Sequence, residues 1–243
     1  MDIFYYHFVG LTFGATSIVA LTSFIINIYT ISTYGGNTSL KLLIASDITS
    51  ILFVIYEKLI INYDLNSTRA LYAFFYSCMI AAVLIYTTLR SRTLIRPIVF
   101  KFSIFSYVIT CLAVFLRTAR INDVIPSIIS RIIVYVSAPI TLICATYSIF
   151  VIGKLVRSNP SASNDLRQVR IERLSNIVVL VAGSIQIANI SISLTNLSML
   201  GILFISLTLL LFTLAELLVQ VNKNMTDRVV EPTGMSFFQM SVL

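Results

Sequence analysis

The run MLGILFISLTLLLFTLAELLVQ, from Met199 to Gln220, is almost continuously apolar and is followed by a polar stretch that contains Lys223. A helix that crosses the hydrocarbon core of a bilayer needs about 20 predominantly apolar residues, so this run predicts one transmembrane helix. Runs of the same kind recur along the whole chain of 243 residues. They predict seven transmembrane spans, at about 8–33, 40–62, 69–89, 98–116, 127–153, 174–194 and 199–220. The remaining residues, 221–243, are predicted to form a tail.

The composition supports a membrane protein of this kind. The chain is 58% apolar and 11% charged, whereas soluble domains are about 45–50% apolar and about 25% charged. Its mean hydropathy is +0.94. These values exclude a soluble globule, a disordered regulator and a charge-rich coiled coil. The predicted fold is all-α: a single polytopic membrane domain built as a seven-helix bundle.

The positions of the basic residues predict how the bundle is oriented. The net charge is +7, but lysine and arginine lie at the ends of apolar runs, where they anchor membrane helices. This placement argues against a nucleic-acid partner. Counted on alternate sides of the bilayer, one side carries twelve lysine and arginine residues and the other carries five. Because the richer side faces the cytoplasm, we predict an external N-terminus, a cytoplasmic C-terminus and a cytoplasmic loop at Lys154–Arg173.

Two polar residues in the spans have an open interpretation. Asp47 lies in the middle of the second span, where a charged side chain costs about 2.5–3.5 kcal/mol on insertion scales and should face the bundle interior. Asn27 in the first span is a natural hydrogen-bond partner for it. The pair could form an ion or proton site, or it could be a structural bond between helices, worth about 0.6 kcal/mol on average.

Four further side chains are candidates for a ligand pocket. Gln186 and Asn189 are three residues apart and therefore lie on one face of the sixth span. They could line a cavity or bind a neighbouring helix. Tyr72 and Tyr76 belong to an aromatic run at the outer start of the third span, which is typical of an interfacial belt and could also form a pocket wall.

The sequence offers little to catalysis. His7 is the only histidine and lies at the edge of the first span, so no histidine-based metal site or Ser–His or Cys–His machinery can form in the core. The run Met199–Gln220 contains no lysine that could hold a retinal Schiff base. We therefore expect no enzyme activity, no cofactor and no metal.

Two pairs of residues carry a resemblance to a known family. Arg90 is followed seven residues later by Pro97, at the junction of the third and fourth spans, and Pro139 is followed eight residues later by Tyr147 in the fifth. With Asn27 and Asp47 in the first two spans, this pattern resembles the rhodopsin-like G protein-coupled receptors. The short termini and degraded motifs, including a chain without tryptophan, are most similar to the nematode serpentine chemoreceptors.

The resemblance implies a role for each of these residues. Arg90 would meet a heterotrimeric G protein at the cytoplasmic face. Glu172, at the base of the sixth span, could pair with Arg90 at rest or could be a plain surface glutamate. Pro139 would distort the fifth helix, and Tyr147 would swing toward Arg90 on activation. Basic residues at this face would hold anionic lipid and complement an acidic G protein surface.

The resemblance therefore predicts a chemosensory receptor for a small ligand. It would lie in the plasma membrane, including that of sensory cilia. Because few residues precede the first span, we expect the ligand to bind among the helices. One alternative is a small-solute transporter or channel that uses Asp47 as its coupling site. Another is a receptor-like scaffold that does not signal, because the sixth and seventh spans lack the family's usual motifs.

Overall fold

The computed structural model describes residues 3–63, 69–118, 127–157, 166–193 and 199–230. Within these residues the chain is helical and contains no strand. The seven helices are α1 (Ile3–Tyr34), α2 (Thr38–Tyr63), α3 (Arg69–Arg90), α4 (Pro97–Thr118), α5 (Ser127–Arg157), α6 (Leu166–Ser193) and α7 (Met199–Val230).

The apolar segments of these helices indicate a membrane protein. Five helices contain a segment long and apolar enough to cross a bilayer, and α3 and α4 contain shorter apolar segments within the described residues. The five segments are Gly10–Tyr34, Thr38–Tyr56, Tyr135–Arg157, Val169–Asn189 and Gly201–Asn224, and the shorter two are Phe74–Arg90 and Pro97–Ala113.

The helices extend beyond the apolar runs that predicted them. The prediction of a loop over the whole of Lys154–Arg173 is wrong at both ends, because α5 continues to Arg157 and α6 already begins at Leu166. Hydropathy marks only the part of a helix that lies in hydrocarbon. Beyond it, arginine, glutamine and glutamate are good helix formers in water, so the helix continues.

Helix α1 is polar on the face that packs into the bundle and apolar on its outer face. Its buried side chains in the described part are all polar or small, and its exposed side chains include large aliphatic ones. The buried set, at intervals of three and four residues, is Thr12, Thr16, Ala20, Ser23, Asn27 and Thr30. The exposed set includes Leu11, Ile18, Leu21, Ile25 and Ile28. Such a helix presents its apolar face to lipid, because polar groups in hydrocarbon must find partners inside the protein.

The helices form a closed ring in chain order. Each packs against the next, and α7 packs back against α1. Helix α3 also contacts α5, α6 and α7, so it lies at the centre of the bundle. Neighbours run antiparallel: Phe74 near the start of α3 meets Phe115 near the end of α4, while Thr88 near the end of α3 bonds Tyr107 in α4.

The short turn between α1 and α2 places a functional side chain. Gly35 has a φ of +84° and its amide donates to the carbonyl of Ile31 at 2.9 Å, which is a common way to end a helix with glycine. The Oδ1 atom of Asn37 accepts from the amide of Leu40 at 2.7 Å and so caps α2. The cap fixes the orientation of the Asn37 side chain, so that its amide nitrogen can donate a hydrogen bond to α7.

Gly183 allows α6 to approach α5 and α3 closely. A Cβ atom at this position would lie 2.9 Å from Cδ1 of Ile149 in α5 and 3.4 Å from Cγ2 of Thr87 in α3. A methyl group can be accommodated by a shift of the Ile149 side chain, but a branched side chain cannot be accommodated in the same way.

We expect Gly183→Val to destabilise the bundle by roughly 1–3 kcal/mol, the usual cost of overpacking. The measurement is the midpoint of thermal unfolding of the purified chain in detergent. Gly14→Val is the matched control, since a Cβ there has no neighbour within 4 Å. Equal midpoints for the two variants would contradict the packing described above.

Candidate functional site

Arg90, the last residue of α3, connects α3 to the first half of α6. Its Nη2 atom donates to Oγ of Ser175 at 3.0 Å and its Nε atom donates to Oδ1 of Asn176 at 3.2 Å. Both acceptors are buried. Ser175 in turn donates to the carbonyl of Ala215 at 2.8 Å, so the same contact reaches α7.

Glu216 of α7 is the acidic partner of Arg90. Its Oε2 atom lies 4.0 Å from Nη1 of Arg90, and its side chain is 3% exposed. Asn37 and Gln220 donate to its Oε1 atom at 2.6 and 3.2 Å, and the hydroxyl of Tyr86 donates to Oε2 at 3.2 Å. These donors satisfy the hydrogen-bonding capacity of a buried carboxyl group, which would otherwise be costly to bury.

Tyr86 adds both packing and a hydrogen bond to this site. Its ring stacks on Phe212 of α7 with the ring centroids 4.4 Å apart. Both rings are fully buried. The contact between α3 and α7 at Tyr86 is therefore apolar except for the hydroxyl group, which binds the carboxylate of Glu216.

We call this cluster the Arg90 junction. It joins the end of α3 to the sides of α6 and α7 and to the turn between α1 and α2. It consists of Asn37, Tyr86, Arg90, Ser175, Asn176, Glu216 and Gln220.

The Arg90 junction is held by contacts that can break and re-form. Two unit charges 4 Å apart attract by about 4 kcal/mol at an effective dielectric constant of 20, and desolvation of the two ions offsets much of that attraction. Removing one partner would leave the other charge buried without compensation. The junction can therefore bias the positions of three helices relative to one another.

A second polar cluster lies about one helical turn away along α7. The amide of Asn27 donates to Oδ2 of Asp47 at 2.7 Å and to Oγ1 of Thr213 at 2.9 Å, and Thr213 also contacts Oγ of Ser23 at 2.9 Å. This Asp47 cluster links α1, α2 and α7. The Oδ1 atom of Asn27 is buried and has no hydrogen-bond partner among the described residues.

Of the two interpretations of Glu172, the structure agrees with the surface glutamate, and the pair with Arg90 is not formed in it. Glu172 is exposed on α6, and the ion pair that the described residues form is between Arg90 and Glu216. Sequence reasoning missed Glu216 because it lies in the apolar run that predicted α7. The signal was nevertheless present, because a carboxylate within a transmembrane run is by default a candidate functional residue.

The prolines and Tyr147 lie away from the Arg90 junction. Pro97 is the first residue of α4, a position where its missing amide proton costs nothing. Pro139 lies inside α5 and is exposed. The side chain of Tyr147 is also exposed, and it lies on the outer surface of the bundle in this conformation.

The residues predicted to line a pocket have different surroundings in the structure. Tyr76 is buried and its ring contacts Phe53, with the centroids 6.0 Å apart. Asn189 donates to the carbonyl of Gly201 at 3.1 Å and so connects α6 to α7. The side chain of Tyr72 lies outside the described residues.

Gln186 is the most unusual of the pocket candidates. It is 1% exposed, and its Oε1 atom accepts from Oγ1 of Thr208 in α7 at a long 3.4 Å. Its Nε2 atom has no hydrogen-bond partner among the described residues. An unpaired buried donor is costly, so this amide is available to an acceptor that the protein does not supply.

Comparisons with protein-family models, with curated proteins and with solved structures find no match to this chain. The site must therefore be interpreted from its own geometry. Across the part of the chain that the structure describes, no group of three histidine, cysteine or acidic side chains is arranged to hold a metal ion.

We expect Tyr86→Phe to lower the free energy of unfolding by about 1–2 kcal/mol, because a buried carboxylate loses one of its donors while the ring stacking is retained. Tyr135→Phe is the control, since Tyr135 is 73% exposed. Thermal unfolding in detergent measures both. A loss as small as that of the control would mean that the hydroxyl contributes nothing to the Arg90 junction.

We expect Asn27→Ala to lower the free energy of unfolding by about 1 kcal/mol, because two bonds between helices are lost at about 0.6 kcal/mol each. Thr22→Ala is the control, since the hydroxyl of Thr22 bonds only the carbonyl of Ile18 in its own helix. Equal unfolding midpoints for the two variants would show that the Asp47 cluster does not hold α1 in place.

Proposed function

We propose that this chain is a G protein-coupled receptor that binds a small ligand among its helices and signals to a heterotrimeric G protein. On this proposal it is a chemosensory receptor of the plasma membrane, including sensory cilia, with its N-terminus outside and its C-terminus in the cytoplasm. The resemblance to nematode serpentine chemoreceptors described above belongs to the same proposal.

The observation that carries the proposal is the position of Arg90. It is the last residue of the central helix α3, and its guanidinium group reaches both Ser175 and Asn176 of α6 and Glu216 of α7. A receptor needs such a tie, because the resting state must hold these helices together and the active state must release them. Ligand binding would shift the population toward the released state.

The distribution of charge supports the proposed orientation. Counted over the full sequence, twelve lysine and arginine residues fall on the side of the bundle that contains Arg90 and five on the other. Cytoplasmic ends of membrane helices are enriched in these residues, so on this proposal the end that contains Arg90 faces the cytoplasm. The same surface would then face the G protein.

The unpaired amide of Gln186 supports a ligand site among the helices. A donor buried in the bundle favours a ligand that carries a hydrogen-bond acceptor, and the buried ring of Tyr76 on α3 offers apolar surface in the same half of the bundle. Such a combination of apolar walls with a few polar groups is usual for small-molecule sites.

One observation favours a second candidate, a small-solute transporter or channel. Asp47 is 1% exposed, and it lies beside the unpaired Oδ1 atom of Asn27. Intramembrane carboxylates often mark ion or proton pathways. In this alternative, Asp47 would be the coupling site and Arg90 would have only a structural role.

The experiment that separates the candidates measures nucleotide exchange on a panel of heterotrimeric G proteins, with the full chain reconstituted in lipid nanodiscs. We expect Glu216→Gln to raise ligand-free exchange severalfold, because the tie to Arg90 loses its charge. Arg90→Ala should abolish exchange. The control is Arg92→Ala, which removes the same charge from an exposed position.

Two outcomes would overturn the receptor proposal. Solute uptake or current that is lost in Asp47→Asn and unchanged in Arg90→Ala would favour the transporter or channel. Normal insertion and trafficking, with no exchange on any G protein in the panel for any variant, would favour a receptor-like scaffold that does not signal.

A further inference from the structure

The outer surfaces of α4 and α5 carry matching patterns of apolar and basic residues. On α4, Ile98 and Phe102 are exposed and follow closely after the exposed Arg96. On α5, Tyr147 and Phe150 are exposed and are followed by the exposed Lys154. In each case aromatic or aliphatic side chains face outward and a cation lies at the same end of the bundle.

The contact between the two helices sets their relative height. Thr141 of α5 bonds Ser106 and Thr110 of α4 at 2.9 and 2.7 Å, so it lies midway between them along α4. The two helices run in opposite directions and each rises about 1.5 Å per residue. A residue that precedes this midpoint on α4 therefore lies level with the residue that follows Thr141 on α5 by the same number of positions. Arg96 is thus nearly level with Lys154.

The same arithmetic aligns the apolar side chains. Phe102 is level with Tyr147, and Ile98 is level with Phe150. The two exposed stripes therefore run side by side on adjacent helices, with the aromatic rings deeper along the bundle and Arg96 and Lys154 above them.

The basic groups are free to bind an external anion. The Nζ atom of Lys154 lies over the ring of Phe150, 4.8 Å from its centroid, which keeps the ammonium group at the lipid-facing surface. No carboxylate lies within ion-pair distance of Arg96 or Lys154 among the described residues, where the single ion pair is that of Arg90 with Glu216.

We propose that Arg96 and Lys154 bind the phosphate headgroup of an anionic phospholipid, whose acyl chains lie along Ile98, Phe102, Tyr147 and Phe150. A soluble anion would use the cations but would leave the apolar stripes unoccupied. A lipid uses both, because its phosphate binds the two cations while its acyl chains cover the apolar side chains beside them. This site does not depend on the proposed receptor function.

The test titrates the full chain, purified in detergent micelles, with dioleoylphosphatidylglycerol and follows the midpoint of thermal unfolding. Dioleoylphosphatidylcholine is the lipid control, because its headgroup carries no net charge. We expect the anionic lipid to raise the midpoint of the wild type. Arg96→Gln with Lys154→Gln should weaken its apparent binding roughly 30-fold, the equivalent of about 2 kcal/mol.

A matched double variant separates a local site from general attraction to charge. Lys41→Gln with Lys223→Gln removes the same two charges from exposed positions on other helices at this end, and it should bind the anionic lipid as the wild type does. Equal weakening in the two double variants, or wild-type binding by Arg96→Gln with Lys154→Gln, would overturn the proposal. Both altered pairs are exposed, and the midpoint in phosphatidylcholine reports whether each variant folds.

Discussion

The arrangement of one end of the bundle depends on the contact between Arg90 and Glu216. Helix α3 is the only described helix that packs against five others, and Arg90 is its last residue. Its guanidinium group contacts α6 and α7, while the carboxylate of Glu216 also binds Asn37 from the turn between α1 and α2. Two opposite charges in a poorly hydrated environment must stay close to each other. Their contact therefore also holds together the segments that carry the Arg90 junction, which are α3, α6, α7 and the turn between α1 and α2.

The same physical constraint explains why so much of the buried surface is polar. Lipid tails are as apolar as leucine, so hydrophobic burial does not drive transmembrane helices together, and small or polar contacts position them instead. Helix α1 follows this rule along its described length, where residues such as Ser23 and Asn27 face the bundle and aliphatic residues face outward. Bonds of this kind are individually weak. A bundle held by them can exchange one set of partners for another at modest energetic cost, which is a requirement of any switching membrane protein.

The sequence predicted the helices because a bilayer imposes length and hydropathy on each span, and the proximity of Asn27 and Asp47 could be anticipated from their depth. The true ends of α5 and α6 could not, since hydropathy carries no information once a helix leaves hydrocarbon. Glu172 seemed a partner for Arg90 because it lies at the base of the sixth span, but an exposed carboxylate gains little from an ion pair. Glu216 and the outward position of Tyr147 required knowledge of how each helix is rotated about its axis. In α5 the apolar residues lie on all sides of the helix, so the sequence pattern does not show its rotation.

The most direct test of this account is a double-mutant cycle on Arg90→Gln and Glu216→Gln, measured by reversible unfolding of the purified chain. If the two side chains stabilise each other, the double variant should lose at least about 1 kcal/mol less than the sum of the two single variants, a non-additivity typical of residues in direct contact. Losses that add to within about 0.3–0.5 kcal/mol, as they do for distant residues, would show that the junction at the end of α3 is not held by this pair.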